Sequence, residues 1–106
     1  MNYELAKKLK EAGYPYKKPI KGLPNNIIEI DNELFLYVSL SELIEACGKE
    51  YKDREFDTYD FELQYNNSGW DAGYSDKNYH ETHIKNETGQ TPEEAVAKLW
   101  LEINKK

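Results

Sequence analysis

Near the end of the chain apolar residues recur with the period of a helix: Val96, Leu99, Trp100 and Ile103 stand at i, i+3, i+4 and i+7, one stripe that needs a surface to lie on. The letters before it spell a helix start. Thr91 can accept a hydrogen bond from a first-turn N–H, Pro92 loses nothing where that N–H would be unpaired, and Glu94 reaches back to complete a capping box. The same period appears twice more. Leu5, Ala6, Leu9 and Ala12 form the inner face of a helix capped by Asn2 and stopped by Gly13, with Glu4 near its start and Lys7, Lys8 and Lys10 towards its end, as the helix dipole favours. Leu40, Leu43, Ile44 and Cys47 form the face of a short helix capped by Ser39, with Glu42 at its third position and Gly48 ending it.

Between the helices the pattern shortens to period two. Ile27, Ile28 and Ile30, then Leu34 to Val38, are strand-like runs separated by Asp31-Asn32-Glu33, a spacing that predicts a hairpin. Both sides of the second run are apolar, which predicts cover on two faces. Tyr59, Phe61, Leu63 and Tyr65 alternate with Asp60, Glu62 and Gln64, and Trp70, Ala72 and Tyr74 resume the alternation after Asn66-Asn67-Ser68-Gly69. That predicts a second hairpin with an aromatic inner face. Tyr79 to Ile84 reads as a further, weaker strand, and Asn86 to Gln90 as the lead into the last helix. Lys49 to Asp60 reads as an acidic, irregular stretch. Pro15, Pro19, Gly22 and Pro24 mark an irregular connection in which Tyr14 and Tyr16 favour packing. The expected fold is α+β in one domain, residues 1–106. It has an antiparallel sheet of about four to five strands built on two hairpins and three helices, the N-terminal and C-terminal ones packed on the sheet.

Composition adds bounds. A mean hydropathy of -0.91 looks polar, yet nine Tyr, three Phe and two Trp supply large contact area, consistent with a folded core. Twenty acidic residues against 14 basic ones leave a net charge of -6, which repels polyanions and disfavours nucleic acid and anionic lipid as partners. Lys7, Lys8, Lys10, Lys17, Lys18 and Lys21 make the first fifth locally basic, read here as a solvated helix face and loop. One cysteine permits no internal disulfide. With no apolar run of membrane-spanning length and no signal-peptide core, the expected location is the cytoplasm.

Candidate chemistry is sparse. His80 and His83 are three apart, so on a strand they point to opposite faces, and no HExxH pattern supplies a helical alternative. Asp53, Glu55, Asp57 and Asp60 have the alternate oxygen spacing that calcium favours. An EF-hand, however, needs Gly at the sixth place and Glu at the twelfth, where this chain has Thr58 and Gln64. Cys47 lies on a buried stripe, where thiolate formation is suppressed, and no phosphate-cradling loop is present. The expectation is therefore a protein without catalytic residues, metal or cofactor. Leu101, beside Ala97 on the side of the last helix away from Val96, Leu99 and Trp100, together with Tyr14 and Tyr16, is the expected contact surface for a protein partner or self-association. An alternative is a small-molecule cleft in which Tyr59, Tyr65, Trp70 and Tyr74 stack a flat ligand.

The runs Asn2 to Pro15, Leu40 to Gly48 and Thr91 to Asn104 resemble, in that order, small uncharacterised proteins encoded by phages, prophages and bacteria. The resemblance implies an accessory protein of a viral or bacterial genome that acts in the cytoplasm, and together with the small size and acidity it suggests one that modulates a host protein. Gly89, Thr91, Glu93, Glu94 and Ala95 are also similar to the Gly-x-Thr-x-Glu-Glu-Ala segment of HicB-like antitoxins, where it follows antiparallel strands and opens a helix. That likeness implies a toxin as the partner.

Overall fold

The computed structural model describes residues 3–17, 27–52, 58–76 and 83–104. In chain order these form α1 (Tyr3–Glu11), β1 (Ile27–Ile30), β2 (Glu33–Leu36), α2 (Leu40–Cys47), β3 (Glu50–Lys52), β4 (Thr58–Asn66), β5 (Gly69–Asp76), β6 (His83–Gly89) and α3 (Pro92–Ile103). The fold is α+β, with three helices and two antiparallel sheets, β1-β2 and β3-β4-β5-β6. No helix among the described residues is long and apolar enough to cross a membrane.

The helix ends follow local chemistry. At α1 the N–H of Tyr14 donates to Leu9 O (2.9 Å) and that of Gly13 to Lys10 O (3.0 Å), a Schellman closure in which Gly13 takes the positive φ of 91°. Tyr14 and Leu9, the apolar pair that accompanies this motif, are both buried. Ala12 falls in the turn and is exposed, so the buried face of α1 is Leu5, Ala6 and Leu9 and does not extend to Ala12 as the periodicity implied. At α2 the Glu42 N–H donates to Ser39 Oγ (3.2 Å), and at α3 the Glu94 N–H donates to Thr91 Oγ1 (3.1 Å), with Pro92 in the first turn.

The four-stranded sheet turns Tyr59, Phe61 and Leu63 of β4 and Trp70, Ala72 and Tyr74 of β5 towards α2 and α3, where Leu43, Val96, Leu99 and Trp100 complete the main core. The alternation fades at the tip of the hairpin, where Tyr65 is 72% exposed with its ring 5.1 Å from that of Trp70. Two strands differ from the sequence expectation. Glu50–Lys52 pairs with Thr58 to Asp60 as an edge strand, although its composition carries no strand signal. β6 runs from His83 to Gly89, so Asn86 to Gly89 are strand and not a lead-in; 79–82 lie outside the described residues. β6 carries a bulge at Lys85 (φ 52°) opposite Gly73, where a Cβ would stand 2.8 Å from Asn86 Oδ1.

The first hairpin stays apart from this sheet. Its turn residues Asp31 and Asn32 both have positive φ (51° and 68°), the geometry that lets a two-residue loop match strand twist. Its inner face, Ile30 and Phe35 with Ile28 beside them, packs on Ala6 of α1 and on Tyr16. Lys7 and Lys10 reach Asp31 (3.8 and 3.9 Å), and Lys10 also reaches Glu33 (3.7 Å) while lying over the Phe35 ring. The other face stays largely open: Leu34 is 51% and Ile27 41% exposed and Leu36 is half-buried, contrary to the two-sided cover that the apolar run suggested. A row of rings, Trp100, Tyr14, Tyr16 and Phe35, with successive centroids 5.2, 5.0 and 5.3 Å apart, joins this small core to the main one.

Candidate functional site

The four residues expected to form a contact surface do not share one. Ala97 is a fully buried residue of α3, and Tyr14 is buried between α1 and Trp100. Tyr16 is half-buried, its hydroxyl donating to Ala6 O at 3.0 Å. Burial pushes both phenols up to about 12, that of Tyr14 also through the charges of Glu42 and Cys47 and that of Tyr16 through Tyr14 and Tyr37. The two tyrosines are thus the internal bridge between the cores. Leu101 is half-buried in an open groove of about 820 Å³ between α1, β6 and α3, beside Lys8, Glu11, Glu87, Lys98 and Glu102. Signs alternate along its walls, and no set of groups converges on a point where a reacting atom could be held.

The tyrosine-rich cleft is likewise divided. Tyr59 and Tyr74 are core residues, whereas Tyr65 and Trp70 sit together at the far end of the hairpin. The Tyr74 hydroxyl lies 2.8 Å from both Cys47 O and Gly48 O, and burial raises its pKa above the ordinary tyrosine range. Burial also pushes the Cys47 thiol up to about 12, and its S–H points at Val96 O (3.6 Å) in the α2–α3 interface, so it is a packing group and not a nucleophile at neutral pH. Among the described residues no group of three or more His, Cys, Asp or Glu could hold a metal ion. His80 and 53–57, which carry most of the metal-like spacings, lie outside them. Each residue of the Gly89 to Ala95 segment that the structure singles out has a local structural role: Thr91 and Glu94 cap α3, and a Cβ on Gly89 would meet Ala95 N at 2.6 Å.

What stands out is the outer face of the β1–β2 hairpin. Register pairs Ile27 with Leu36 and Glu29 with Leu34, and paired residues share a face, so Ile27, Leu34 and Leu36 form an apolar surface interrupted by one carboxylate. Exposed Tyr37 follows directly. Sequence reasoning overlooked this surface because an apolar strand run reads equally as two-sided burial; nothing in the letters says which face finds cover. Comparison with protein-family models, with curated proteins and with solved structures finds no match for this chain.

Proposed function

We infer that this chain is a noncatalytic, acidic accessory domain that binds a protein partner in the bacterial cytoplasm, where a phage- or bacterium-encoded protein of this kind would modulate a host protein. One observation carries the reading: the hairpin presents Ile27 and Leu34, 41% and 51% exposed, on the face turned away from α1, with half-buried Leu36 beside them. Apolar side chains held on a strand pair, with their inner neighbours locked by α1, form a preorganised contact patch that binds without a large ordering cost. A stable interface takes roughly 800 Å² from each partner, more than two or three side chains offer, so Glu29, Leu36 and Tyr37 around Ile27 and Leu34 share the contact. The net charge of -6 steers the approach of a basic partner.

Affinity capture from bacterial lysate tests this with three proteins: the natural sequence, Leu34→Lys and Leu101→Glu. The expected result is one defined protein retained by the natural sequence and by Leu101→Glu and lost with Leu34→Lys. Equal capture by all three, or no specific capture, would remove the hairpin face from consideration. Size-exclusion chromatography with light scattering identifies self-association as the alternative, shown by a dimer that Leu34→Lys dissolves.

A further inference from the structure

The same hairpin has, on β1, an outer edge with no partner strand among the described residues, and the register fixes its hydrogen-bonding phase. A two-residue loop makes Ile30 and Glu33 a hydrogen-bonded pair, so Ile28 and Phe35 form the next one, and Glu29–Leu34 and Ile27–Leu36 lie between them unbonded. An independent contact agrees: the Leu36 N–H points away from β1 and donates to Lys17 O at 2.8 Å. Residue 17 therefore occupies part of the far edge of β2. On β1 the corresponding groups are the N–H and C=O of Ile27 and Glu29, and these point outward with no partner among the described residues.

Beside this edge lies a hollow of about 390 Å³ lined by Tyr3, Glu29, Asp31 and Asn32. Asp31 is already met by Lys7 and Lys10, whereas Glu29 has no cation within ion-pair distance among the described residues. Tyr3, at the start of α1, is 50% exposed. A carboxylate next to an aromatic ring is complementary to a lysine or arginine side chain, through an ion pair and a cation–π contact together.

Resting on the protein-binding reading above, we propose that the partner supplies an extended segment that adds to β1 as a third strand of the small sheet. The backbone groups of Ile27 and Glu29 bind its main chain. Its apolar residues continue the Ile27–Leu34 face, and a basic side chain enters the hollow between Tyr3 and Glu29. Main-chain bonds supply affinity in such an addition, and the alternating side chains supply selectivity.

The probe is a capped six-residue peptide alternating valine with arginine, compared with a glutamate counterpart and with the arginine peptide N-methylated on alternate backbone nitrogens. Titration followed by backbone amide NMR is expected to move the signals of Ile27 to Ile30 and Tyr3. N-methylation in the phase that removes the bonded N–H groups should weaken binding about tenfold or more through lost main-chain hydrogen bonds, and the glutamate peptide and Glu29→Lys in the protein should each do so through loss of the charge-assisted contact. No binding at millimolar peptide, shifts confined to the groove around Leu101, or indifference to N-methylation in both phases would overturn strand addition. So would dimerisation of the protein through this edge without peptide uptake. Lysate capture abolished by Leu34→Lys but untouched by Glu29→Lys would sink this proposal and leave the protein-binding reading standing; absence of any capture sinks that reading on its own.

Discussion

The hydroxyl of Tyr74, in the middle of β5, lies 2.8 Å from the carbonyl oxygen of Cys47, the last residue of α2, and equally close to that of Gly48. Its single proton is thereby shared between two carbonyls at the helix end that intrahelical bonding leaves free. Tyr74→Phe keeps the ring contacts with Tyr51 and Phe61 but removes that donor from a buried site. It should cost about 1–2 kcal/mol in urea unfolding. Unchanged stability would mean that water takes over the two carbonyls.

Glycine at position 89 is required by packing, not by backbone angle. A methyl there would sit 2.6 Å from Ala95 N and 2.9 Å from Glu94 Cβ, pushing the first turn of α3 off the end of β6. Gly89→Ala is expected to lower stability by about 2 kcal/mol or more through this overlap. Gly13→Ala meets no neighbour and bears only the cost of its φ of 91°, so the thermal midpoint should fall less for it than for Gly89→Ala. The reverse order would contradict the seating of α3 on β6.

Thr91→Ala removes the oxygen that accepts the Glu94 N–H at 3.1 Å and should cost about 1 kcal/mol, with Thr91→Ser recovering most of it. Because α3 carries five buried residues, fraying at its start should also quicken amide exchange at Ala95 and Val96. Equal exchange in Thr91→Ala and the natural sequence would show that packing alone holds the turn.

Alkaline pH should weaken the fold in a defined window. Cys47 rises from an ordinary value of 9.0 to about 12, and Tyr14 and Tyr16 from 10.0 to about 12, all principally through burial. The folded protein keeps these protons where the unfolded chain releases them, so their contribution is complete below pH 9 and is lost as pH climbs to 12. Each such group lowers stability by at most about 1.4 kcal/mol per pH unit within its window. Denaturation midpoints measured from pH 7 to 11 should be level and then fall, and Cys47→Ala should delay the onset by about one unit, to where the tyrosines begin to titrate. A level profile to pH 11 would contradict the burial of these groups.

Local signals were the legible part. Caps at Ser39 and Thr91, the Gly13 and Gly48 stops and the alternation in β4 and β5 involve neighbours within four or five residues, so short-range sterics and hydrogen bonding determine them wherever the chain goes. The stripe Val96, Leu99 and Trp100 likewise announced its burial, with Ile103 and Cys47 only partly buried. By itself, then, the sequence determined an α+β chain of three amphipathic helices and antiparallel hairpins.

Tertiary structure decided the rest, because burial of a given face depends on what arrives from elsewhere in the chain. Glu50–Lys52 is a strand only because Thr58 to Asp60 offers it an edge, and β6 extends to Gly89 because β5 pairs with it that far. Ala97 and Tyr14 pass from contact surface to core when α1 and α2 close on α3, while Ile27 and Leu34 keep an open face because α1 covers only the other side of their hairpin. Hydrophobic letters set how much surface must leave water; which of it stays behind as a contact patch is a matter of three-dimensional supply, and no local pattern encodes that.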